Sequence, residues 1–228
     1  MDSGVPLLEA HDLFVSRQAE GTAHSVLEGA SLTLFPGEVV DVGGPSGVGK
    51  STLLLALARL LTVRGTLRLR GEPAEAVDTR EWRRRVLYVP QIPSLLVGTV
   101  RDSLTLPWTL SIREREEPPT EDDMCAAMRE VGLGEMSLDR EAARLSVGQA
   151  VRLGLVRAAL TRPEVLMLDE PDANLDDEAA EAVGAFARGL ADGGMTLLRV
   201  RHRRAGGEPD RRYLLAEDRT LREVTAHA

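Results

Sequence analysis

Apolar and polar positions alternate through LLEAHDLFVS and again through SVLEGASLTLF, both within residues 5–35. A period of two marks strands with one buried face, so both stretches predict β-strands. GTLRLRG alternates in the same way. Short apolar runs at Glu38–Val42, Val86–Val89, VLML (165–168) and Met195–Val200 predict strands buried on both faces. Asp41 interrupts the first of these, and a buried carboxylate needs a partner that the sequence does not name. Thr52–Leu61 and AVRLGLVRAAL (150–160) predict helices, and residues 79–85 a short basic helix. Residues 93–160 read as mostly helical around a polar loop at Arg113–Asp123, and two strands follow near Arg212–Ala216 and Thr220–Val224. No repeat or low-complexity tract breaks the pattern.

Length and charge narrow the classes. A chain of 228 residues suits one large domain, or a domain with a subdomain. No apolar run approaches the ~20 residues that span a bilayer; the longest, TLLLALARLL, contains Arg59. The acidic N-terminus MDSGVPLLEAHD lacks the basic start of a signal peptide, so the expected setting is the cytoplasm. A single cysteine, Cys125, allows no internal disulfide and fits a reducing compartment. The net charge of -8 argues against nucleic acid as a partner. Among 28 Lys and Arg residues only Lys50 is a lysine, and the excess of Arg, Ala and Gly points to a GC-rich genome.

That lysine sits in GPSGVGKST (44–52), between a predicted strand and a predicted helix. Gly44, Gly49, Lys50 and Ser51 fit the phosphate-binding loop G-x-x-x-x-G-K-[ST]. Glycines let backbone N–H groups curl around an anion, and the helix N-terminus adds positive potential. Gly44, Ser46, Gly47, Gly49, Lys50, Ser51 and Thr52 are therefore the candidate nucleotide-binding residues, with Ser51 a candidate Mg²⁺ ligand. A compact ammonium on a flexible stem fits there where arginine's planar fork does not, which explains why Lys50 escaped replacement.

Further motifs follow in order: YVPQ ending at Gln91, LSVGQ at 145–149, VLMLDEP at 165–171, ANLD ending at Asp176, and His202 after the last buried strand. Over nearly the whole chain this order resembles the nucleotide-binding subunit of ABC transporters. LSVGQ matches the LSGGQ signature of that family at four of five positions. The resemblance implies an α/β P-loop NTPase of ABC type. A RecA-like core would carry an antiparallel β subdomain and an inserted α-helical subdomain. Residues 1–92 and 164–228 would form the catalytic lobe and 93–163 the helical signature subdomain. It implies ATP and Mg²⁺ as cofactors, with Ser51, Gln91 and Asp169 at the metal. Glu170 would be the general base, assisted by Gln91, His202 and Lys50. Ser146, Gly148 and Gln149 would meet ATP held by a second copy of the chain, and Asp176 would link the two sites. The expected partners are that second copy and a separate multi-span membrane permease, which would hold the chain on the inner face of the membrane.

Several residues depart from the family pattern. Val147 replaces a signature glycine, and a β-branched residue tolerates positive φ badly. Arg17 stands where an aromatic usually stacks on adenine, with Phe14 three residues earlier; a guanidinium plane can also stack on a base. Asp172-Ala173-Asn174 replaces Thr-Ser-Ala. The 96 residues from Lys50 to Ser146 (146 − 50) leave no space for the long coiled coil of chromosome-maintenance relatives. One P-loop argues against tandem translation factors. Leu106-Pro107-Trp108 resembles the iron- or metal-export ATPases of the FetA/YbbL type, and sets Trp108 near the permease contact or in the core. Two other readings are a non-transport ABC ATPase of an envelope or cell-division complex, and a weakly hydrolysing regulatory subunit.

Overall fold

A computed structural model describes residues 4–19, 22–92, 94, 98–201 and 207–224. Leu8–Ala19 (β1) and Thr22–Leu34 (β2) pair antiparallel. The inward residues of β1 are Leu8, Ala10, Leu13 and Val15, so the alternation slips once. Asp12 causes the slip. Its φ is 51°, its N–H donates to Ser31 Oγ at 3.0 Å, and the register shifts there on both sides of the strand. One extra residue in a bulge returns the apolar face to the core.

Val39–Gly43 (β3) leads into the glycine-rich loop and Lys50–Leu57 (α1) follows it. The helix ends four residues before the expected Leu61. Arg59 adopts φ 54°, while the N–H groups of Arg59 and Leu60 return to the carbonyls of Ala56 and Leu55. This is a Schellman closure with arginine where glycine usually sits. The Arg59 guanidinium secures it by donating to the carbonyls of Ala74 and Val77 at 2.7 and 2.9 Å.

Arg64–Leu69 (β4) and Glu72–Pro73 (β5) complete a four-stranded antiparallel sheet in the order β2-β1-β4-β5. Thr79–Arg85 (α2) starts on an Asp78 cap and leads into Val86–Val89 (β6). The described residues of 93–160 are mostly helical, as the sequence predicts, once the 3-10 turns at Leu106–Thr109, Ser111–Arg113 and Ala142–Arg144 are counted. Val100–Thr105 (α3), Glu121–Glu130 (α4) and Val147–Leu160 (α5) are joined by single turns and extended chain. Thr99 and Thr120 each form a capping box, which starts α4 inside the stretch expected to be loop. Val165–Asp169 (β7), Asp177–Asp192 (α6), Thr196–Val200 (β8), Arg211–Leu215 (β9) and Leu221–Val224 (β10) close the chain.

The second sheet runs β10-β9-β3-β8-β7-β6, with β10 antiparallel and the other five parallel. Alternate residues of its strands feed two cores. Val40, Val42, Val165 and Met167 pack with Leu53, Leu54 and Leu57 of α1 and with Trp82. Val39, Leu166, Leu168 and Leu197 pack with Phe186 of α6 and with Leu153 and Val156 of α5. Burial on both faces is why these strands read as continuous apolar runs. Because β3, β6, β7 and β8 are parallel, the loops after them emerge at one edge, where α/β sheets bind ligands.

Candidate active site

β3 delivers the phosphate-loop candidates to that edge. Gly44, Gly47 and Gly49 have φ of 143°, 74° and 118°. A Cβ on Gly44 would lie 2.3 Å from the Leu215 carbonyl oxygen, and one on Gly49 2.8 Å from Val26, so both positions demand glycine. Nothing lies within 4 Å of a Cβ on Gly47, so the loop faces open space there. Ser46 and Ser51 are exposed and Thr52 is buried at the start of α1. No acidic side chain occupies the first turn of that helix.

Lys50 is 5% exposed, and its Nζ donates to the carbonyls of Gly44 and Pro45 at 2.9 Å each. Burial pulls its pKa below the ordinary lysine value, against the opposing pull of the Glu170 and Asp169 carboxylates. The ammonium, both acids and the glycine cradle thus share one electrostatic neighbourhood.

β7 delivers the two acids. Asp169 is buried, and its Oδ2 accepts from the Tyr88 hydroxyl at 3.0 Å. Its Oδ1 is also buried and accepts no hydrogen bond. A buried carboxylate oxygen with no partner costs free energy unless a ligand satisfies it. A hard cation suits that oxygen, with the Ser51 hydroxyl and Gln91 amide as further oxygen donors. The residues present therefore fit Mg²⁺.

Glu170 adopts φ 50°, in the left-handed region that costs a non-glycine residue about 1–3 kcal/mol. Its backbone over-determines this conformation: its N–H donates to Val200 at 3.0 Å and its carbonyl accepts from Ala173 at 3.2 Å. Gln91, just past β6, donates from Nε2 to Glu170 Oε2 at 3.3 Å. Tyr88 belongs to the YVPQ motif, but nothing in the sequence pattern marks it as part of the site. Its register opposite Met167, two residues before Asp169, brings the phenol to the acid. Burial, with the Asp169 charge, pushes the phenol's pKa up, so Tyr88 stays a donor.

The signature caps α5. Ser146 Oγ accepts from the Gln149 N–H at 3.2 Å, and Gln149 Oε1 accepts from the Ser146 N–H at 3.1 Å. Val147 lies within the helix, has no positive φ and is 55% exposed. Replacing glycine there therefore strains nothing and leaves an apolar side chain at the surface. Gly148 packs on the following loop: a Cβ there would meet Leu175 at 3.1 Å and the Asn174 carbonyl at 3.3 Å. Asp176 caps α6 through the Ala179 N–H. Arg17 lies in β1 opposite His24, with its side chain outside the described residues; His202 also lies outside them.

This spacing and geometry meet a family match. The family described as ABC transporter matches residues 27–173. The chain belongs to the ABC transporter family. A cassette from that family, solved as a dimer in a post-hydrolysis state bound to ADP and Pi, superposes with a TM-score of 0.85. The likeness covers 97% of this chain and 100% of that one at 21% identity, which shows the shared ABC ATPase fold. Among sequence relatives, ABC transporter I family member 17 of Arabidopsis thaliana is 36% identical over 78% of this chain and 65% of its own length. The zinc import ATP-binding protein ZnuC of Cereibacter sphaeroides is 39% identical over 77% of this chain and 64% of its own length. The chain spans less than two thirds of each relative. Neither is named for iron export.

A second feature of this cassette is a cleft of about 600 Å³ between α2–β6 and the turns after α3. Leu87, Leu106, Pro107, Leu110 and Ile112 line it, with Arg84 and Arg157 among its cations. Trp108, expected near the permease contact or in the core, is half-buried beside the cleft under the Arg113 guanidinium, which lies 5.6 Å from the indole ring centroid.

Proposed function

We propose that this chain binds and hydrolyses Mg-ATP as the cytoplasmic nucleotide-binding subunit of an ABC transporter. The observation that carries the reading is the orphaned buried Oδ1 of Asp169, set beside Lys50 and the Gln91–Glu170 pair. Backbone amides of Gly44–Thr52 cradle the β- and γ-phosphates, and Lys50 exchanges its two carbonyl partners for phosphate oxygens. Ser51, Gln91 and Asp169 hold Mg²⁺, which neutralises phosphate charge. Glu170, kept at its angle by Gln91, takes a proton from water as that water attacks the γ-phosphorus and the bond to the β-phosphate oxygen breaks. His202 holds the γ-phosphate, and Arg17 stacks on the adenine. Ser146, Gly148 and Gln149 of a second copy close the site, making residues 93–163 the signature-bearing unit.

The permease docks in the apolar cleft. The Nη1 atom of Arg157 is buried there without a hydrogen bond, while its Nη2 donates to the Ser94 carbonyl at 3.1 Å, so an acceptor on the docked segment would complete it. Docking holds the chain at the membrane surface. A metal ion as cargo rests on the Leu106-Pro107-Trp108 resemblance, and metal content of cells with and without the gene tests it.

Glu170→Gln tests the ATPase reading. Glutamine keeps the shape of glutamate but takes no proton, so ATP persists and joins two copies by mass action. Light scattering after size exclusion should show a dimer with Mg-ATP and a monomer with ADP. A monomer in both, with ATP bound, would favour the regulatory-subunit reading.

A further inference from the structure

The partner of Asp41 is Arg199, its register neighbour on the parallel strand β8; Arg199 Nε donates to Asp41 Oδ1 at 2.7 Å. Arg201 continues the chain of charges. Its Nε and Nη2 both donate to Asp172 Oδ2 at 3.1 Å, and its Nη1 lies 3.9 Å from Asp41 Oδ2. Both arginines also donate to the Gly207 carbonyl, at 3.4 and 3.3 Å. The four side chains are 3–13% exposed and carry two charges of each sign.

Strand positions around them are filled by Val39, Val40, Val42, Leu197, Leu198 and Val200, so apolar residues would suffice for a core. Desolvating two ion pairs contributes little or nothing to stability compared with well-packed apolar side chains. What such a network does supply is fixed geometry. Asp172 lies two residues after Glu170, and Val200, whose carbonyl fixes the left-handed Glu170, lies between Arg199 and Arg201. The Asp172 carbonyl accepts from Leu175 at 3.3 Å, and the same turn abuts Gly148 through Asn174 and Leu175.

We propose that the buried Asp41–Arg199–Arg201–Asp172 network positions the turn from Glu170 to Asp176, aligning Glu170 with the phosphate loop and Gly148 with the second copy's nucleotide. These four are positioning residues; none touches the reacting atoms. The inference rests on the ATPase reading, but its first test does not. In the double variant Asp172→Leu/Arg201→Met, apolar groups of similar length replace the fork. Melting temperature should stay within a few degrees, while amide hydrogen exchange at Ala173 and Leu175 of the nucleotide-free protein speeds at least tenfold. Turnover should fall at least tenfold, with ATP affinity changed less than twofold. In a Glu170→Gln background the pair should abolish the ATP-dependent dimer. Arg201→Lys and Asp172→Asn, milder changes, should give the same kcat loss in part if the double variant fails to fold. Unchanged exchange in a folded variant overturns the proposal. So does a loss of turnover matched by an equal loss of ATP binding, which marks a merely structural role. A wild type without turnover but with accelerated exchange in the variant counts against the ATPase reading alone.

Discussion

Lys50 already spends its hydrogen bonds on its own loop, and its pKa is held down by burial. If phosphate binding requires the ammonium, the sign of the pH effect follows. Affinity for ATP should be full below the lowered pKa of the free protein. Above it, affinity should fall about tenfold per pH unit until the higher pKa of the bound state is reached. Titrating ATP binding from neutral to alkaline pH checks this; a flat profile would separate Lys50 from the phosphates. Lys50→Arg should bind ATP at least tenfold more weakly at neutral pH despite keeping its charge, because a planar fork cannot reach both carbonyl-lined positions. Arg17 gives a second expectation at this scale. A guanidinium stacks on any base, so kcat/KM should favour ATP over GTP by less than about a hundredfold, and Arg17→Tyr should widen the gap.

Among elements, the cleft beside α2 and β6 invites a direct trial. Leu110 and Ile112 are exposed apolar side chains that line it. Leu110→Asp should prevent co-purification with the permease and shift the melting temperature by no more than about 2 °C, because it removes no buried contact. Retention of the permease would place docking elsewhere. The same elements show what was legible beforehand. Strands β6 and β7 fell where the apolar runs set them, since burial on both faces leaves an unbroken signal. The middle third was harder. Thr99 and Thr120 each start a helix by capping, a local hydrogen-bond effect that periodicity does not register. The early end of α1 depended on Arg59 reaching Ala74 and Val77, a tertiary contact. In the site, the phosphate loop and the two acids could be read as motifs. Tyr88 and the partner of Asp41 could not, because strand register decides both.

At the scale of the whole molecule, two copies must meet for the proposed chemistry, and Gly148, proposed to face the second copy's nucleotide, abuts the turn after β7. A Cβ on Gly148 would lie 3.1 Å from the Leu175 side chain, tighter than most real contacts. Gly148→Ala should therefore push that turn aside and weaken the ATP-dependent dimer of Glu170→Gln at least tenfold, read by light scattering over a protein dilution series. Dimerisation unchanged by Gly148→Ala would mean the copies meet through another face. One property of the phosphate loop reaches beyond nucleotide chemistry. A lysyl endopeptidase has a single place to cut this chain, after Lys50, giving pieces of 50 and 178 residues (228 − 50). The scissile bond lies in the first turn of α1, beneath a nearly buried side chain, so it is cleaved only when that turn opens. Digestion rate therefore becomes a clock for local unfolding of the nucleotide site, readable on a gel, and Mg-ATP should slow it.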